Sequence, residues 1–240
     1  AAVTKIRKYS LDLYKKLEKE VDHSAGLRLN GALSIAQTDG RWQELQRQAT
    51  TAQLYDVEVK ILNKDQIKKD YPIINTDEVI GGILMPGDGA ADPSGVTYLL
   101  AKAARKEGAK IFEKSPVEEI LTKNGKISGI KVNGKKIECE YIVLASGIWS
   151  RQIGKKAGVS IPLYPAEHFY IITEPIKNLL SNLPVIRDFD NRTYIKEDAG
   201  KILVGIFESQ SIPAWDKINK VPEDFSFGEF QENFEHFEPY

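Results

Sequence analysis

The chain has 240 residues, of which 42% are apolar and 28% charged, with a formal net charge of −1. That is chain and core enough for one large domain or two small ones. The near-neutral mixture of charges gives no electrostatic ground for a nucleic-acid or anionic-membrane partner. No apolar run approaches the ~20 residues of a membrane-spanning helix, and no basic-then-apolar leader opens the chain. The single cysteine, Cys139, excludes an intrachain disulfide and a cysteine-based metal cluster. A reducing interior is expected, bacterial cytoplasm ahead of a mitochondrial matrix. The start at Ala1 without Met leads us to expect a processed chain or a piece of a longer one.

Val3, Ile6, Leu13 and Leu17 recur at helical spacing over about 2–20. Residues 26–36 then read as two short strands hinged at the turn dipeptide Asn30-Gly31. A second helix is expected from Arg41 to about Tyr55 and a strand from Val57 to Leu62. Asn63 or Asp65 would cap a brief helix that ends before Tyr71-Pro72. Val79–Met85 is a further strand. The turn-rich loop 86–93, PGDGAADP, ends with Asp92 at N-cap and Pro93 at N1 of a helix. That helix aligns Val96, Leu99, Leu100, Ala103 and Ala104 and stops at Gly108.

A strand at Lys110–Phe112 follows, then Pro116–Leu121. Asn124-Gly125 and Asn133-Gly134 mark the two turns of a three-stranded meander. A strand at Tyr141–Leu144 runs into the small-residue corner Ala145-Ser146-Gly147, and Trp149-Ser150 opens a helix. Longer strands are expected at Glu167–Thr173, Arg192–Lys196 and Lys201–Phe207, with the tail from Ser209 forming a loop and a short helix.

Small residues at a strand's carboxyl end let a backbone approach a ligand, although any strand before a turn can end this way. His168 offers one donor and one acceptor and titrates near neutrality, so it suits an amine; a lone strand histidine is also a common structural residue. Tyr170 shares its strand face. Arg192 and Lys196 share a face with Tyr194, and either could pair with a carboxylate or simply meet solvent. Asp92 is accounted for by capping, and no EF-hand spacing or other metal-binding pattern is present.

Residues 139–174, CEYIVLASGIWSRQIGKKAGVSIPLYPAEHFYIITE, and residues 183–208, LPVIRDFDNRTYIKEDAGKILVGIFE, resemble the D-amino acid oxidase superfamily of FAD-dependent amine oxidoreductases, in its dimethylglycine and sarcosine dehydrogenase branch. The resemblance runs over nearly the whole chain and is most specific across 81–98 and 141–207. It implies an α+β or α/β fold. Residues 92–160 would be a partial FAD-binding domain of the two-dinucleotide-binding type, with crossover helix and β-meander. Residues 1–91 and 161–240 would form a discontinuous, mixed-sheet substrate domain.

The resemblance places Ala145, Ser146, Gly147 and Trp149 against the flavin chain and the Val117 backbone against adenine. It makes His168 and Tyr194 catalytic, with Tyr170 and Arg192 at the substrate, and Asp88 at the entrance. The implied activity is oxidation of an N-methylated amino acid: hydride leaves the N-methyl carbon for FAD, and the imine loses formaldehyde or passes its carbon to tetrahydrofolate. The chain holds no Gly-x-Gly-x-x-Gly fingerprint. We therefore expect it to bind FAD weakly or not at all alone, and to be inactive alone. The alternatives are a glycine or D-amino-acid oxidase, or a non-catalytic binding protein whose open sheet edge dimerisation would cover. A homo-oligomer is compatible with either.

Overall fold

A computed structural model describes residues 2–240. In chain order its first elements are α1 (Ala2–Val21), β1 (Ala32–Ala36), α2 (Asp39–Gln53), β2 (Lys60–Asn63), α3 (Lys64–Asp70), β3 (Gly81–Met85) and α4 (Pro93–Lys106). The meander β4 (Val117–Lys123), β5 (Lys126–Val132) and β6 (Lys135–Glu138) comes next, then a 3-10 turn at Gly147–Trp149 and α5 (Ser150–Lys156). The last are β7 (Tyr170–Ile172), β8 (Val185–Asp188), β9 (Thr193–Asp198), β10 (Lys201–Ile206) and α6 (Phe234–Phe237). Contacts divide the chain into two compact units. One takes the chain up to Lys110, with Phe169–Glu208 and Phe234–Tyr240; the other takes Ile111–His168 and Ser209–Asn233. These boundaries differ from the expected 92–160 partition, chiefly because α4 packs on α1.

The first unit is built on a seven-stranded mixed sheet of order β2-β3-β1-β8-β9-β10-β7. An inner strand, β1, reads ALSIA and is buried throughout. It runs antiparallel to β3 and parallel to β8, and being covered on both faces it needs apolar or small residues at every position. On one face Leu45 and Ala49 of α2 pack on Ala36 and Ile83. On the other, Ile67 of α3 packs with Leu33, Ile35, Leu62 and Val79.

Three helices of this unit begin on side-chain caps. Thr38 accepts from the Arg41 amide (3.2 Å), and Asn63 and Gln66 form a reciprocal capping box. Asp92 accepts from the Ser94 and Gly95 amides at 3.1 and 2.9 Å, with Pro93 behind it. Val21, Ala25 and Leu99 join α1 to α4. Only the last turns of α1 take part; Val3 and Ile6 face solvent. The first of the two strands expected at 26–36 shrinks to one bridge, Arg28 to Ala90.

The second unit holds the β4-β5-β6 meander. Both of its turns take left-handed backbone at Asn-Gly pairs, with φ of 53° and 74° at Asn124 and Gly125, and 49° and 72° at Asn133 and Gly134. This is the conformation that two-residue hairpins require. The segment after Ser209 is pinned to α5. The Trp149 indole donates to the Pro222 carbonyl (3.0 Å), Arg151 donates to Asn219 (2.9 Å), and Gln152 bonds both backbone groups of Val221.

Two expected strands do not form. Residues 110–112 and 141–144 are irregular, and Tyr141 and Val143 are 85% and 89% exposed. A strand exists only through hydrogen bonds to a neighbour, and no described strand lies beside either segment. The expected Glu167–Thr173 strand contracts to β7 for the same reason: β10 pairs with it only from Tyr170 to Ile172.

Candidate functional site

Register defines a row across the open half of the first unit's sheet. Arg187 of β8 lies opposite Tyr194 of β9, Tyr194 opposite Gly205 of β10, and Gly205 opposite Tyr170 of β7. Directly opposed residues share a face, with Cβ atoms ~4.5–5.5 Å apart. Arg187, Tyr194 and Tyr170 therefore stand on one face around a glycine. A methyl at Gly205 would come within 2.1 Å of Tyr194 Cζ, so the hydroxyl end of the Tyr194 ring lies over the position. Phe207 flanks that ring at 5.4 Å between centroids, and Phe189 stacks on Phe207 at 5.7 Å.

Burial pushes the Tyr194 phenol above its ordinary value of 10.0, with the Glu208 carboxylate and Tyr170 adding to the shift. The hydroxyl is protonated at neutral pH, as an unshifted phenol would be, and can donate a hydrogen bond. Glu208 is itself fixed, accepting from the Phe169 amide at 2.8 Å. The group offers a hydroxyl donor, a carboxylate, aromatic faces and a guanidinium. That inventory suits a small zwitterion: aromatic faces and a carboxylate attract a substituted ammonium, and a guanidinium attracts a carboxylate.

Several sequence expectations change place. Arg192 does not stand on β9 beside Tyr194. It sits in the β8–β9 turn with φ of 55°, exposed, its carbonyl taken by the Phe207 amide at 2.7 Å. Lys196 does share Tyr194's face, but pairs with Asp198 at 3.1 Å. His168 precedes β7 as exposed irregular chain and belongs to the second unit. Arg187, Gly205 and Glu208 were not singled out from sequence. Their signal is parity: Arg187 and Tyr194 come onto one face only once the β8–β9 register is known.

In the second unit, Ala145 and Gly147 are exposed at the corner, and Gly147 takes the left-handed φ of 53°. A Cβ there would meet nothing within 4 Å, so the glycine is required by conformation and the space above it is open. Ser146 Oγ stands 3.5 Å from Ser150 Oγ. Small exposed residues at a turn fit the close approach of a diphosphate or ribityl chain. The Trp149 N–H is directed to Pro222, and the Val117 carbonyl accepts from Lys156 Nζ at 3.0 Å. What these two residues offer a ligand is therefore ring surface and a backbone amide.

On the sheet face opposite Tyr194, the first unit has an open cavity of ≈ 220 Å³. It is lined mainly by Ile35, Ile186, Ile195 and Ile202, with Asp188 and Thr193 at its polar side. The Asp188 carboxylate is fully engaged there by Gln37, Asn191 and the Asp190 and Asn191 amides. Among the described residues no helix is long and apolar enough to cross a membrane.

Residues 1–238 match the family model of FAD dependent oxidoreductases. 4-Methylaminobutanoate oxidase (formaldehyde-forming) of Paenarthrobacter nicotinovorans is 35% identical over 99% of this chain and 28% of its own length. The mitochondrial pyruvate dehydrogenase phosphatase regulatory subunit of Mus musculus is 32% identical over 98% and 27%. Mitochondrial dimethylglycine dehydrogenase of Homo sapiens is 32% identical over 86% and 24%. Among solved structures, L-proline dehydrogenase from P. horikoshii matches with a TM-score of 0.77 at 30% identity, over 87% of this chain and 56% of that one. The chain thus spans about a quarter of the length of these curated relatives. Sequence and fold agree, and the chain belongs to the FAD dependent oxidoreductase family.

Proposed function

We propose that this chain takes part in FAD-dependent oxidation of a small N-methylated amino acid, of the dimethylglycine or sarcosine type. The observation that carries the reading is the Tyr194–Gly205–Tyr170 row with Glu208 beside it, a surface built for a substituted ammonium on an amino acid. Its similarity to an oxidase named for a methylamino acid supports the same substrate class. FAD, when bound, supplies the hydride acceptor. Residues 1–91 and 161–240 serve the substrate, and 92–160 serve the cofactor. Ala145, Ser146 and Gly147 admit the flavin chain, and Val117 and Trp149 bound it.

Tyr194 holds the substrate through its hydroxyl, and Tyr170 closes over it. His168 takes the ammonium proton, so that the nitrogen lone pair can assist loss of hydride from the N-methyl carbon. Without a glycine fingerprint to cradle pyrophosphate, the chain by itself holds FAD weakly and does not turn over. Catalysis belongs to a longer polypeptide that supplies that cradle, where the one-carbon unit is released as formaldehyde or passed to tetrahydrofolate.

The test has two parts. Flavin fluorescence on titration with FAD should show weak saturable binding that Gly147→Val weakens further; no binding at all rejects the cofactor role of the corner. Anaerobic mixing of the flavin-loaded longer protein with sarcosine, dimethylglycine or 4-methylaminobutanoate should bleach the flavin, and glycine should not. A flavin that stays oxidised with every amine rejects the enzymatic reading. It would favour a non-catalytic regulatory role, for which the similarity to the phosphatase regulatory subunit is the specific ground.

A further inference from the structure

Three arginines of the described residues are half-buried. Two of them are satisfied within the chain: Arg41 donates to Asp190 and Glu44, and Arg151 donates to Asn219. Arg187 is the exception. Its side chain is 31% exposed, and it pairs with Asp88 of the PGDG loop, with Nη2 to Oδ2 at 3.5 Å. Among the described residues it makes no hydrogen bond. A guanidinium presents five donors in a planar fork shaped for a carboxylate. Holding it half-buried on a single loose ion contact leaves that fork available.

β8 is inner in the sheet, with β1 on one side and β9 on the other. Arg187 lies between Ser34, which is buried, and Tyr194, which carries the hydroxyl of the proposed substrate site. Asp88 is anchored independently. Its Oδ1 accepts from the Gly89 amide at 2.9 Å, and its own amide donates to Met85. Asp88 thus meets Arg187 through one oxygen at 3.5 Å without filling its fork. Arg192, the other candidate for an anion, stands in an exposed left-handed turn.

We propose that Arg187 is the carboxylate anchor of this site, with Asp88 a positioning residue that an incoming carboxylate partly displaces. The ligand class is a short aliphatic carboxylate bearing an amine. The carboxylate sits on Arg187 and the amine lies over the Tyr194–Tyr170 row. The inference rests on the amino-acid substrate proposed above, and it adds which group reads the acid end. The same chemistry predicts discrimination against neutral amides and esters of identical shape, because those present no charge to the fork.

The test uses probes that no flavin can oxidise: methoxyacetate and its neutral isostere methoxyacetamide, titrated calorimetrically into the 240-residue protein. The wild type should prefer the acid by roughly tenfold or more, as expected where a charge-assisted pair forms. Arg187→Gln should abolish that preference, and Arg187→Lys should restore part of it as a point charge without the fork. Asp88→Asn should tighten methoxyacetate a few-fold, a gain that misfolding cannot imitate. Arg192→Gln should change nothing. A wild type that does not distinguish acid from amide overturns the proposal, as does an Arg187→Gln variant that still does. So does a loss that follows Arg192. Because binding is read without turnover, failure here is separate from failure of the oxidase reading, which flavin bleaching decides.

Discussion

Gly205 supplies the sharpest test of how the site is built. An alanine methyl there would stand 2.1 Å from Tyr194 Cζ and 2.3 Å from Cε1 and the hydroxyl oxygen, so the ring must leave its place. Leaving also breaks its packing on Phe207 at 5.4 Å. Overpacking of this kind costs about 1–3 kcal/mol, offset by roughly 0.5–1 kcal/mol from replacing a glycine within a strand. Gly205→Ala should therefore lose about 0.5–2 kcal/mol. In a Tyr194→Ala background the obstacle is gone, and the same methyl should be neutral or stabilise by up to about 1 kcal/mol. The coupling between the two positions is thus about 1–3 kcal/mol. Each kcal/mol corresponds to roughly 2–4 °C in Tm for a chain of this length. Urea unfolding of the wild type, both single variants and the double variant, followed by circular dichroism, gives the cycle directly. If the two changes add within about 0.5 kcal/mol, the ring does not lie over Gly205 and the row described here is wrong.

Other outcomes follow from burial and capping. Tyr71 and Tyr194 are both raised above 10.0, first by burial, with Asp70 adding to Tyr71 and Glu208 and Tyr170 to Tyr194. The folded state therefore keeps these protons longer than the unfolded chain does. Their stabilisation is complete below pH 10 and is lost as pH rises through the folded values. Tyrosinate absorbance should show a late-titrating component that shrinks in Tyr194→Phe; an unchanged late component rejects the assignment. Asp188→Ala strips acceptors from Gln37, Asn191 and two backbone amides, and should cost about 3–5 kcal/mol in a thermal melt. A loss under about 1 kcal/mol would show that the network carries little. Asn63→Ala should cost about 0.5–2 kcal/mol through the capping box, whereas Asn63→Asp should cost far less. Equal losses in the two variants would point away from capping.

Local chemistry was legible in the sequence where neighbours in the chain decide the conformation. Asn63 and Asp92 start helices because their side chains reach amides two or three residues on. Asn124-Gly125 and Asn133-Gly134 turn because those residues tolerate left-handed backbone. The family resemblance carried by residues 139–174 and 183–208 is borne out by the match over residues 1–238. Pairing between distant segments was not legible. Tyr141–Leu144 has a strand's composition, but composition cannot supply a neighbour. Arg192 has the right parity with Tyr194, yet the tight β8–β9 turn puts it outside the strand. Arg187 was in plain view within the second motif. Its alignment with Tyr194 depends on a register that only the folded hairpin sets.

The parallel neighbour of β1 has a consequence for how the protein is made. Asn30, just before β1, is bonded to the Leu183 carbonyl just before β8, across 153 residues of chain. At roughly 5–20 residues per second of synthesis, this buried inner strand emerges some 8–30 s before the partner that shields its second edge. For that interval ALSIA is an unpaired β-edge on a nascent chain. Its protection must come from outside the fold or from speed of later pairing, which loop closure over such a distance makes slow. The vulnerable moment of this molecule is thus on the ribosome, when a strand later buried on both faces is still its most adhesive surface.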